Sequence, residues 1–134
     1  MSEGFIQAGF NPIAHVEMNA MAAQTLETRA AFHYLSSQQD GSVQFYYAYE
    51  RGEITREELF EHVPAQVIAT VINEELSDKS IKRVFKQIDK SIEDAGVGHI
   101  DVIVGGPPCQ AYSLVGRAQS SHMLVPMDKD PRNG

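Results

Sequence analysis

The residue in this 134-residue chain best suited to chemistry is Cys109, its only cysteine. It follows Gly105, Gly106, Pro107 and Pro108, and these follow an apolar run, Asp101-Val102-Ile103-Val104. The run has the length and β-branched content of a buried strand. Glycine lets the backbone turn sharply or approach a ligand closely, and the two prolines fix φ and remove two donors. A thiol at the tip of a stiff turn after a strand is placed as a nucleophile. The competing reading is a small buried hydrophobe, the usual fate of a free cysteine, which needs neither the prolines nor the glycines.

A second candidate is a carboxylate. Ile13-Ala14-His15-Val16 reads as a short strand closed by Glu17. In a nucleotide-binding sheet an acidic residue there accepts hydrogen bonds from the ribose hydroxyls of an adenosine-containing cofactor. The alternative is a carboxylate favoured by the dipole of the helix that follows. The five histidines have no HxxH or HxxxH spacing and there is one cysteine, so no metal site is expected.

Several elements position these groups. Residues 2–9 suit a short helix with Ser2 as N-cap, Phe5 and Ile6 inward, and Gly9 as terminator. Met18 to about Leu35 reads as a helix with Asn19 as N-cap and Met21, Ala22, Leu26 and Ala30 at helical spacing, Met21 being assigned to the core. Residues 36–54 are polar and aromatic. Asp40-Gly41 marks a turn. Phe45, Tyr46, Tyr47 and Tyr49 are read as anchors of a helical insertion spanning about 36–70 rather than as base-stacking residues, because only Arg51 accompanies them.

Thr55-Arg56-Glu57-Glu58 is a capping box opening a helix to about His62, and Pro64 opens another over 64–71. Val71 to Leu76 is a candidate strand. Ser80 to about Asp94 is an amphipathic helix with Ile81, Val84, Phe85, Ile88 and Ile92 on one face and lysines opposite, ended by Gly96.

Composition narrows the classes. The length suits one domain or part of one, and 43% hydrophobic residues can form a core. No apolar run is long enough to span a membrane, and no basic-plus-apolar leader precedes the chain, so a cytoplasmic location is expected. A net charge of −7 argues against this segment alone as a DNA-binding surface. The cluster Lys79, Lys82, Arg83, Lys86 and Lys90 is read as a solvated helix face.

Gly106-Pro107-Pro108-Cys109-Gln110-Ala111-Tyr112-Ser113 resembles the catalytic motif of the DNA (cytosine-5) methyltransferases. Glu17-Met18 resembles that family's second cofactor motif, and Asp130-Pro131-Arg132-Asn133 a later run. The resemblance covers residues 2–35 and 72–134, most specifically 100–117. It implies an α/β, Rossmann-like S-adenosylmethionine-dependent methyltransferase fold, here incomplete, with the first strand and the C-terminal half absent. Residues 1–134 are thus expected to be the N-terminal part of a catalytic domain.

The same resemblance implies site residues. Cys109 is the nucleophile that adds to C6 of a flipped-out cytosine. Glu17 holds the cofactor ribose, and Met18 covers the adenine. Glu75, with Asp78 as a rival, meets the adenine amino group, and Pro107 also lies at the cofactor. Ser113 and Arg117 contact phosphates of double-stranded DNA. An incomplete sheet implies that the isolated chain is inactive and self-associates through exposed edges. Two other classes stand beside this reading: a non-catalytic module, and a thiol enzyme unrelated to DNA, such as a peroxide-reducing protein. The last lacks a second cysteine or a nearby histidine.

Overall fold

The computed structural model describes residues 2–106. The chain divides into two units, one up to His99 and one from Ile100 onward. The first contains six helices and two short strands among the described residues: α1 (Ser2–Gln7), β1 (His15–Val16), α2 (Ala20–Ser37), α3 (Gln44–Glu50), α4 (Arg56–Glu61), α5 (Ala65–Ile68), β2 (Val71–Ile72) and α6 (Ile81–Ala95).

β1 and β2 pair in parallel, with His15 opposite Val71 and Val16 opposite Ile72. Parallel strands need a crossover, and α2 to α5 provide it. Both strands are shorter than their sequence patterns suggest. Val71 and Ile72 are buried, but the Glu74 N–H turns back to the Ile72 carbonyl at 3.1 Å. That contact ends β2 and removes 73–76 from the expected strand. Ile13 and Ala14 likewise lie outside the strand.

α2 begins where its cap requires. Asn19 Oδ1 accepts from the Met21 and Ala22 N–H groups at 3.0 and 3.1 Å, satisfying donors that the first helical turn leaves unpaired. Its buried residues are Ala23, Ala31 and Leu35. Met21 does not join them: it is 72% exposed, which corrects the core assignment. Helical spacing defines a face, but only a covering element buries it, and no described element covers Met21, whereas Ala23 in the same turn is buried.

The core lies between α2 and the short helices. Ala31, Leu35, Tyr46, Leu59 and Val63 form one buried cluster, with Phe32, Phe45 and Tyr49 among the residues packed around it. Phe45 stacks on His62 with ring centroids 3.5 Å apart, and Tyr47 alone of the four aromatic residues in α3 is exposed. α4 has a complete capping box: Thr55 Oγ1 accepts from the Glu58 N–H at 3.2 Å and Glu58 Oε2 accepts from the Thr55 N–H at 2.7 Å. An ion pair between Arg56 and Glu27 ties α4 to α2. α5 is one turn rather than the expected eight residues.

α6 ends at Gly96, whose φ of +66° is the left-handed conformation that favours glycine at a helix terminus. Val84 is fully buried, whereas Phe85, expected on the same stripe, is 56% exposed. At the other end of the unit, α1 ends at Gln7, and Gly9 follows with φ +89°. Ser2 is its first helical residue rather than its N-cap, and its hydroxyl lies 3.0 Å from His15 Nε2 on β1.

The described part of the second unit, 100–106, contains no helix or strand. The expected buried strand at 101–104 is therefore corrected: Val102, Ile103 and Val104 are 46%, 90% and 47% exposed. β-branched composition favours an extended conformation, but a strand exists only when a neighbour accepts its hydrogen bonds.

Candidate cofactor-binding and catalytic site

The expected site residues within the described chain, Glu17, Met18 and Glu75, follow the ends of β1 and β2. Crevices outside the carboxyl ends of parallel strands are where α/β sheets bind ligands. The Glu17 N–H continues the ladder, donating to the Ile72 carbonyl at 3.0 Å. Glu17 then stands two residues before the cap of α2, where a negative charge is stabilised by the helix dipole. Its Oε1 accepts from the Asn19 N–H at 2.8 Å. Its Oε2 has no hydrogen-bond partner among the described residues, so one carboxylate oxygen is oriented and the other is available.

Met18, next in sequence, is 71% exposed. Leu76, beyond β2, is 61% exposed. The acidic residues at the end of β2 have distinct roles. Glu74 is held in a forked pair by Arg83, with N···O distances of 2.7 to 3.1 Å. Glu75 and Asp78 are exposed. The Ser80 hydroxyl donates to the Glu75 carbonyl and fixes the backbone there. Of the three, the pairing of Glu74 leaves Glu75 and Asp78 with uncommitted side chains.

Asn73 is a residue that sequence reasoning missed. Its Nδ2 donates to the Glu17 carbonyl at 2.8 Å and to the Met18 carbonyl at 3.3 Å. An asparagine just after a short apolar run reads in sequence only as a turn former, and no local pattern points to a partner 56 positions away.

A separate cavity of about 750 Å³ lies within the first unit, lined by residues that include Phe10, Ile13, His15, Arg29, Tyr34 and Ala95. Glu17, Met18 and Glu75 do not line it. His15 borders it, and burial pushes the His15 imidazole below its ordinary pKa. His15 Nδ1 is buried without a hydrogen-bond partner among the described residues. No group of three or more His, Cys, Asp or Glu side chains suited to a metal occurs among the described residues. No described helix is long and apolar enough to cross a membrane.

Cys109, Pro107, Ser113 and Arg117 lie outside the described residues. Gly105 and Gly106, which lead to them, are exposed, and a Cβ on either would meet nothing within 4 Å. Crowding by described atoms therefore does not explain these glycines.

A parallel strand pair with an acidic residue at one strand end, followed later in the sequence by Pro107-Pro108-Cys109, is compatible with part of a methyltransferase domain. Comparison with known proteins agrees. Residues 54–123, more than half of the chain, match the family of C-5 cytosine-specific DNA methylases. Over 99% of its length the chain is 33% identical to the type II methyltransferase M.Bpa9945I of Bacillus paralicheniformis. It spans about a third of that relative's length. No solved structure matches. The chain belongs to the C-5 cytosine-specific DNA methylase family.

Proposed function

We propose that the protein transfers a methyl group from S-adenosylmethionine to C5 of cytosine in double-stranded DNA, with Cys109 as the covalent nucleophile. The observation that carries this reading is the Gly106–Ser113 run, which lies inside the region matching the family. Residues 1–134 are read as an N-terminal portion of the catalytic domain.

The chemistry follows from the groups. The Cys109 thiolate adds to C6 of a cytosine turned out of the duplex, and the displaced electron pair makes C5 nucleophilic. C5 then takes the methyl group. Loss of the C5 proton to a base and release of the thiolate restore the ring. The thiol must be substantially ionised, which requires a depressed pKa. S-adenosylmethionine supplies the electrophilic methyl when bound.

The strand ends suit the adenosine half of this cofactor. Glu17 has one oxygen held by Asn19 and the other available for a ribose hydroxyl. Met18 and Leu76 present apolar surface for a base, and Glu75 offers an acceptor for the adenine amino group. Pro107 is assigned to the cofactor, and Ser113 and Arg117 to DNA phosphates.

The finer fold reading is a Rossmann-like sheet. In support, the two strands are parallel and adjacent although four helices separate them in sequence. Among the described residues β1 pairs on one side only, with no described strand on the other. A further parallel strand on that side would extend the sheet. The same one-sided pairing favours a second reading for the isolated chain, self-association through the β1 edge. Sizing chromatography of residues 1–134 tests it: a concentration-dependent dimer supports the reading, and a monomer at all concentrations removes it.

The functional reading is tested with isotopically labelled methyl donor, cytosine-containing DNA and the full-length protein. Label at C5 of cytosine, lost in Cys109→Ser, is the expected result. Label at another atom, or label unaffected by the substitution, overturns it.

A further inference from the structure

The ladder between β1 and β2 stops one rung early on the backbone, and a side chain supplies the missing bond. The His15 N–H donates to the Thr70 carbonyl and the Glu17 N–H to the Ile72 carbonyl. In a parallel ladder with that register, the next rung would carry the Glu74 N–H to the Glu17 carbonyl. The Glu74 N–H is instead committed to Ile72. The Glu17 carbonyl is reached by Asn73 Nδ2 at 2.8 Å, and the same amide reaches the Met18 carbonyl at 3.3 Å.

We infer that Asn73 is a positioning residue: its carboxamide fixes the Glu17–Asn19 turn, and through it the Glu17 carboxylate, for an adenosine ribose. The inference rests on the reading of Glu17 as the ribose acceptor. The chain of contacts is short. Asn73 holds two successive carbonyls, the next residue is Asn19, and the Asn19 N–H orients Glu17 Oε1 at 2.8 Å. Asn19 also caps α2, so the clamp joins the end of β2, the end of β1 and the start of α2.

The side chain acts as a donor and not as filler. Asn73 is exposed, so little packing is lost when it changes. Asn73→Asp keeps its shape but replaces the amino group by an oxygen facing two carbonyl oxygens. A structural filler tolerates that exchange, whereas a donor does not.

The test uses the full-length protein, its Asn73→Asp and Asn73→Ala variants, amide NMR, and S-adenosylhomocysteine as the probe. Far-UV circular dichroism establishes that the helices persist. The expected result is that the Asn19 amide proton moves upfield in both variants, as its bond to Glu17 weakens. The dissociation constant for the probe is expected to rise about fivefold, the effect of losing one hydrogen bond of ordinary strength. An Asn19 amide unchanged in both variants overturns the clamp. An amide that moves with no change in affinity overturns its role in binding. If Glu17→Ala binds the probe as tightly as the unaltered protein while the Asn19 amide still moves in the Asn73 variants, the clamp stands and the ribose reading of Glu17 fails.

Discussion

Glu3 and Arg29 meet fork to fork: Arg29 Nε donates to Glu3 Oε1 and Nη2 to Oε2, each at 2.9 Å. His33 Nε2 lies 3.1 Å from both carboxylate oxygens. α1 has no fully buried residue, so this cluster is a principal tie between α1 and α2. The hydrogen bonds from Arg29, opposed by partial burial and reinforced by His33, hold the Glu3 carboxyl well below 4.5, at about 2.

A depressed carboxyl pKa stabilises the folded state above the unfolded value, and that stability is lost as pH falls through the folded value. The window here is therefore from about 4.5 down to about 2. The Glu3 and Arg29 side chains are 45% and 35% exposed, so solvent screening reduces the pair to about 1 kcal/mol. Urea unfolding of Glu3→Gln should show that loss at pH 7, a smaller loss in 1 M salt, and none near pH 2. Equal stability of the two proteins at pH 7 would show that the pair holds nothing together.

The capping box of α4 is a local device with a local test. Thr55→Ala leaves the Glu58 N–H without its acceptor. A loss of about 1 kcal/mol is expected from the usual worth of an N-cap side chain. Thr55→Ser should retain most of it. Chemical denaturation of the two variants checks both statements.

Burial separates two apolar residues that sequence spacing treats alike. Leu59 is fully buried in the main cluster, and Met21 is 72% exposed. Leu59→Ala should cost roughly 2 to 5 kcal/mol, the transfer and cavity cost of a core leucine. Met21→Ala should change stability by less than about 0.5 kcal/mol. Thermal unfolding monitored by circular dichroism distinguishes them.

These residues also mark what the sequence makes legible. The Thr55–Glu58 box, the Asn19 cap and the Gly96 terminator are local, because their partners lie within a few positions. They were readable from residue type and spacing. Met21 and Phe85 were not, because exposure depends on which element covers a face. The shortened β2 depends on one backbone N–H turning from a ladder rung to a tight turn at Glu74. Asn73 reaches across 56 positions, and no local rule reports that. For the candidate site, Glu17 was legible as a strand-terminal carboxylate, and its anchoring by Asn19 and Asn73 was not.

The acidic residues after β2 give a paired prediction on cofactor binding. Glu74 is occupied by Arg83, whereas Glu75 is exposed. In the full-length protein Glu75→Ala should weaken S-adenosylhomocysteine binding about fivefold through loss of an acceptor for the adenine amino group. Glu74→Gln should leave affinity unchanged and lose only the contact with Arg83. Calorimetric titration of both decides the assignment. The reverse order of effects would move the adenine contact to Glu74.

The central claim is that Cys109 forms a covalent bond to C6 of cytosine. Replacing the C5 hydrogen of the target cytosine by fluorine blocks the proton loss that releases the enzyme, so the adduct should persist. Mass spectrometry of the full-length protein, incubated with S-adenosylmethionine and fluorocytosine-containing DNA and then digested, measures this directly. A Cys109 peptide carrying the methylated fluorocytosine nucleotide is the predicted result. A peptide joined at another residue, or methylated DNA with no protein adduct, would contradict it.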